Sequence, residues 1–314
     1  MRYIEFLSSL IFVVSISTGQ IDKRVIGGET APPDKYRWAV SIKGDVDELK
    51  TSGACGASII KTKGNISWLL TAAHCFFPSN KIKTFDLTKP ELWHARVGLM
   101  KVDFYYKKHG RGYLSNNKLI SFFSKAFKKL FGNSKNVVTT GDIHIKKIFI
   151  HPDYVSTRLE NDIALMKLID PLPIEQLKGV NTIELPDIPN LTKWPPVGSD
   201  CVVVGWGCTK AAGVPNTYAK LALLKVWDND KCIDAFVAPI DLNPESEFCA
   251  GYLKRKYGLC PGDSGSGLAC KYDGRWMLAG VVSAAHSKEP GQFPAIFTKV
   301  PSFKNWILDT INKN

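Results

Sequence analysis

Gly262-Asp263-Ser264-Gly265 has the composition of a turn, two glycines enclosing a short acid and a hydroxyl, and alone it carries no chemistry. It gains meaning from two earlier stretches, Thr71-Ala72-Ala73-His74-Cys75 and Asn161-Asp162-Ile163-Ala164-Leu165. Together they set an imidazole, a carboxylate and a hydroxyl in the chain order His74, Asp162, Ser264. A serine hydroxyl is almost fully protonated at neutral pH. It attacks a carbonyl carbon only when an imidazole takes its proton and a carboxylate orients that imidazole. His74, Asp162 and Ser264 are therefore the candidate base, orienting acid and nucleophile.

These three stretches in this order resemble the chymotrypsin-like (trypsin-fold) serine proteases, from Val25 to about Ile311. The resemblance implies an all-β chain of two antiparallel six-stranded β-barrels with a C-terminal α-helix. It also implies a serine-type endopeptidase working through an acyl-enzyme intermediate. Short runs rich in β-formers agree with such a fold: Trp68 to Thr71, Ile143 to Ile150, Ile163 to Leu168, Cys201 to Val204 and Met277 to Ser283. Phe303, Trp306, Ile307, Thr310 and Ile311 recur at helical spacing, which predicts a final helix packed on the second barrel. Pro186 to Pro196, with four prolines, reads as the connection between barrels.

A length of 314 residues at 45% hydrophobic content suffices for one such domain. Arg2, an apolar run from Phe6 to Ile16 and the small residues Ser17, Thr18 and Gly19 read as a signal peptide over residues 1–19. Residues 20–24 then form a short activation propeptide and 25–314 the protease domain, with barrels over about 25–185 and 186–314. A secreted, extracellular, monomeric protein is expected. The eight cysteines suit disulfides in an oxidising compartment. The resemblance implies bridges Cys55 to Cys75, Cys201 to Cys270 and Cys232 to Cys249. The family's usual partner of Cys260 would follow Ser283, but residues 283–300 contain no cysteine, so Cys260 is left with Cys208.

Asp22-Lys23-Arg24 is a cleavable basic site, and Val25-Ile26-Gly27-Gly28 resembles the family's activation sequence. Cleavage after Arg24 by an arginine-directed protease would free the Val25 ammonium to pair with Asp263. The backbone N–H groups of Gly262 and Ser264 would then form an oxyanion hole. The resemblance assigns the substrate pocket to Gly258, Leu259, Pro261, Ser283, Ala284, Ala285 and Ala295. Gly258 stands where trypsin-like members carry an aspartate, so nothing there neutralises a basic substrate side chain. Methyl groups at Ala285 and Ala295 replace wall glycines and favour small or medium apolar side chains, with a chymotrypsin-like preference as the alternative. Ser266-Gly267 departs from the family's Gly-Pro but removes no catalytic group.

The main unmatched stretch is an insertion over residues 101–139, whose nine Lys and Arg face only Asp103. Leu119, Phe122, Phe123, Ala126, Phe127 and Leu130 repeat at helical spacing opposite Lys125, Lys128 and Lys129, an amphipathic basic pattern. Either the phenylalanines pack on the barrel, or the segment meets an anionic glycan or membrane surface. The net charge of +12 fits any polyanion, but no nucleic-acid motif is present. No cofactor is implied. His94, His109, His144 and His151 show no metal-ligand spacing, and carboxylates for calcium are lacking in the insertion. His286 lies near the expected cleft. Asn65-Ile66-Ser67 and Asn190-Leu191-Thr192 match glycosylation acceptors. Protein or peptide substrates and serine protease inhibitors are the expected partners. A catalytically silent relative acting through the insertion is the other function class.

Overall fold

The computed structural model describes residues 28–46, 51–60, 66–77, 86–98, 100–102, 142–172, 180–210, 213–236, 240–286 and 288–314. Six strands close the first barrel: β2 (Ala39–Val46), β3 (Thr51–Ile59), β4 (Ile66–Thr71), β5 (Trp93–Arg96), β6 (Asp142–Ile150) and β7 (Ala164–Leu172). Their order around it is β2-β3-β4-β7-β6-β5, every pair antiparallel. The second barrel holds β8 (Asp200–Gly205), β9 (Lys220–Val226), β10 (Glu247–Gly251), β11 (Gly267–Tyr272), β12 (Arg275–Ala284) and β13 (Ala295–Lys299). Its order is β8-β9-β10-β13-β12-β11, closed by β11 on β8. A two-residue strand, β1 (Glu29–Thr30), adds to β9.

Both barrels form because alternate residues of each strand are apolar and turn inward. Ile42, Ile59, Leu69, Ala95 and Leu165 are fully buried in the first. Val203, Leu224, Phe248, Leu268 and Phe297 fill the second. Disulfides brace these frames and, in two cases, the loops at the site. Cys201–Cys270 joins paired positions of β8 and β11. Cys232–Cys249 fastens α1 (Asn229–Ala235) to β10. Cys55–Cys75 and Cys208–Cys260 flank the candidate catalytic residues.

The five runs expected as strands fall within β4, β6, β7, β8 and β12, apart from Ile163, which directly precedes β7. The terminal helix is α2 (Lys304–Lys313), and the apolar cluster that receives it draws on both barrels. Phe303, just before the helix, and Ile307 join an apolar cluster that holds Ile145 and Leu165 of the first barrel and Val204, Leu278 and Val281 of the second. The ring of His151, also from the first barrel, lies 5.2 Å from Phe303 and 4.9 Å from Trp306. Helical spacing defines an apolar face but not every surface that receives it, and here the helix also reaches the first barrel.

Candidate active site

His74 lies in a 3-10 turn, Ala73–Phe76, directly after β4. Two fixtures hold that turn: Cys75 is bonded to Cys55 of β3, and Thr71 Oγ1 donates to Gly56 O at 2.7 Å. Asp162 sits just before β7 in a tight bend where Asn161 adopts φ 51° and donates its side-chain amide to Asp153 O at 2.8 Å. The Asp162 carboxylate is wholly buried and accepts three hydrogen bonds. His74 N donates to Oδ1 at 2.8 Å, while His74 Nδ1 and Ser283 Oγ meet Oδ2 at 2.7 and 2.6 Å. Thr298 Oγ1 also donates to the Asp162 carbonyl at 2.8 Å.

A carboxylate can only accept, so the proton of neutral His74 resides on Nδ1 and Nε2 keeps a lone pair. The His74 side chain is 21% exposed and that of Asp162 is 0% exposed, so the imidazole is reachable while the carboxylate is shielded.

Ser264 belongs to the second barrel, and its loop is held to both barrels. Gly56 N of the first donates to Ser264 O at 2.7 Å, and Gly265 N donates to Val282 O of the second at 2.9 Å. Gly265 has φ 77°, and a Cβ there would lie 2.2 Å from Thr71 Oγ1 and 3.2 Å from Ala72 N. The loop therefore rests on the segment that leads into His74, and only glycine permits the approach. Among the described residues, Gly262 N and Ser264 N donate to no protein acceptor, which leaves both available to a ligand oxygen.

Asp263 is fully buried. Its Oδ1 accepts from Gly207 N at 2.8 Å and its Oδ2 from Cys260 N at 3.0 Å. A Cβ on Gly205 would come within 2.2 Å of this carboxylate and one on Gly207 within 2.3 Å, so two glycines make its seat. Burial pushes the Asp263 carboxyl up to about 7 against the opposing effect of the two N–H donors. Arg24 and Val25 lie outside the described residues, as do Asn65 and the candidate helix over 119–130.

Of the expected pocket residues, Leu259 and Ala295 are buried in the second barrel's core, Ala284 and Ala285 are half-buried, and Pro261 is exposed. Gly258 faces backbone: a Cβ there would lie 2.6 Å from Pro290 O. Tyr257 N and Lys254 N donate to Gly291 O and Gln292 O at 3.0 and 2.8 Å, drawing the 288–292 loop against it. His286 stacks on Phe293 at 4.3 Å and accepts from Glu289 N at 3.0 Å.

Sequence reasoning assigned Ser283 only to the pocket. Its hydroxyl in fact reaches Asp162, and a serine at the end of a strand gives no signal of that. Thr298, Gly205 and Gly207 were likewise missed, although the spacing of the two glycines around Trp206 offered a hint of close backbone approach. Cys55, His74 and Cys75 converge, but both sulfurs are spent in a disulfide and His74 Nδ1 is spent on Asp162, so the set does not fit a metal ion.

The family model described as Trypsin matches residues 112–307. The chain is similar to Transmembrane protease serine 7 of Mus musculus, 29% identical over 287 residues that cover 90% of this chain and 28% of that protein. The corresponding proteins of Rattus norvegicus and Homo sapiens are 28% and 29% identical over the same length. The chain thus spans 27–28% of the length of these relatives. Among the described residues, no helix is long and apolar enough to cross a membrane.

Proposed function

The chain belongs to the trypsin family of serine proteases, and on that premise we propose that it is a secreted endopeptidase made as a zymogen. The observation that carries the reading is the His74–Asp162 pair at 2.7 Å, with the Ser264 loop resting on the segment that holds it. In this reading His74 Nε2 removes the Ser264 proton as Oγ attacks the substrate carbonyl. Asp162 holds the imidazole and stabilises the imidazolium that forms. Gly262 N and Ser264 N receive the developing oxyanion, a contribution of about 3 kcal/mol per donor. The imidazolium then protonates the leaving amine, and a water repeats the sequence on the acyl-enzyme.

Residues 1–19 act as a cleaved leader and 20–24 as the activation peptide. Cleavage after Arg24 supplies an ammonium at Val25, the charge that the buried Asp263 lacks among its described partners. Apolar Leu259, Ala285 and Ala295 direct the pocket to small or medium apolar side chains. The relatives are named transmembrane proteases, whereas the leader reading makes this chain extracellular and free.

The test is labelling with a fluorophosphonate probe. The chain should react only after cleavage at Arg24, and Ser264→Ala should abolish the reaction. Labelling at the same site in that variant would refute the assignment of the nucleophile.

A further inference from the structure

The second barrel carries a cavity of about 230 Å³ that no residue of the triad lines. It lies between the segment joining the barrels, the Trp227 end of β9, and the adjoining ends of β10 and β13, which contribute Glu247 and Lys299. We propose that this cavity binds a small organic carboxylate, with Lys299 as counter-ion, Lys193 as a second cation at the rim and Trp227 against the ligand's apolar body.

Lys299 is half-buried, and its Nζ donates to two neutral acceptors, Thr192 O at 2.6 Å and Pro244 O at 3.4 Å. An ammonium carries three N–H donors, so one remains. No carboxylate pairs with Lys299 among the described residues. Burial accordingly holds its pKa below the usual lysine range, with Glu245 a weaker opposing influence. A ligand carboxylate would complete the third bond and supply the missing charge, the stronger kind of hydrogen bond in a partly desolvated site.

Two acids also line the cavity. Asp228 accepts from Lys231 N through Oδ1 as the cap of α1. Glu247 is 6% exposed and already accepts from Asn243 N through Oε2 at 2.9 Å. Burial raises the Glu247 pKa above the usual carboxylate range, against the Asn243 N–H that lowers it. Pro195, Val197, Val226 and Phe248 are apolar walls beside polar Thr192 and Asn229, and Trp227 is held by its own Nε1 donating to Gly251 O at 3.0 Å. Lys193, Lys299, Asp228 and Glu247 are the charged groups that line the space.

The experiment is a calorimetric and tryptophan-fluorescence titration of the full chain with phenylacetate, with phenylacetamide as the uncharged isostere. Saturable one-to-one binding is expected, at least roughly tenfold weaker for the amide. Lys299→Gln should weaken phenylacetate binding at least about tenfold and Lys299→Arg should restore it. Trp227→Phe should remove the fluorescence signal. Should Lys299→Gln unfold, Val197→Trp, placed on an exposed residue that lines the cavity, fills it instead and should abolish binding. Equal affinity for acid and amide, no saturable binding, or unchanged affinity in the filled variant would each overturn the proposal.

Discussion

Ser283 Oγ stands 2.6 Å from Asp162 Oδ2, and the contact depends on a slip in register. β12 pairs with β13 at Val282 and again at Ala284, with the register shifting between them, so Ser283 is left out of the ladder. A bulge of this kind re-aims one side chain, and here it sends a hydroxyl from the second barrel to the carboxylate of the first. Ser283→Ala should lower kcat/KM of the activated enzyme about tenfold, because a hydrogen bond to a charged group contributes on the order of 1.5 kcal/mol. Steady-state kinetics checks this, with thermal melting as the control for folding. A variant of full activity would show that His74 alone is enough to fix Asp162.

The Asp263 carboxyl gives the uncleaved chain an unusual pH dependence. Its folded pKa of about 7 lies above the ordinary 3.8, so the folded state binds more protons than the unfolded state between those values. The contribution to stability is therefore complete below about 3.8 and is lost as pH rises through about 7. The interval corresponds to at most on the order of 4 kcal/mol, at ~1.4 kcal/mol per pH unit. Urea unfolding of the zymogen should show the midpoint falling from about pH 4.5 to about pH 8, and Asp263→Asn should flatten the trend. Cleavage after Arg24 should flatten it too, because a paired ammonium favours the ionised carboxylate. An identical slope before and after cleavage would rule out the Val25 to Asp263 pairing.

The legible part of this site was the part encoded by short, stiff stretches. His74 and Asp162 each sit in a tight bend beside a buried strand, so their identity and order carried their placement. Contacts created by the relation of one barrel to the other left no local mark. Ser283 reaches Asp162 through a bulge, Thr298 reaches its carbonyl across 136 residues, and α2 docks on His151 of the opposite barrel. The pocket shows the same division. Gly258 was read as the absence of a charge, whereas the nearby Pro290 carbonyl supplies a steric reason for glycine that depends on the path of another loop.

His151 predicts an opposite trend on the acid side. Its ring packs against Phe303 and Trp306, and its Nδ1 accepts from Asp153 N at 3.3 Å. Burial lowers its pKa below 6.5, with Asp153 pulling weakly the other way. A base with a depressed folded pKa contributes stability that is present above about 6.5 and lost as pH falls toward the folded value. His151→Gln should therefore show a smaller loss of stability than the parent between about pH 6.5 and pH 5, although its packing is poorer at neutral pH. Parallel curves for the two proteins would mean that the docked helix does not sense this proton.

The pocket prediction joins specificity to activation. Replacing the glycine with the aspartate of trypsin-like members is the obvious way to confer cleavage after Arg or Lys, but a Cβ at Gly258 would lie 2.6 Å from Pro290 O. Backbone cannot yield as a flexible side chain can, so the 288–292 loop must move and give up the bonds from Tyr257 N and Lys254 N. Gly258→Asp should thus lower stability by about 1 to 3 kcal/mol without producing efficient tryptic cleavage. The parent enzyme, lacking that charge, should not activate itself at Arg24. Purified zymogen mixed with a trace of activated enzyme should release the new Val25 terminus slowly, while a trace of trypsin releases it fast. N-terminal sequencing over time distinguishes the two. Autocatalytic acceleration in the first mixture, or a stable Gly258→Asp variant with strong arginine preference, would defeat this account of the pocket.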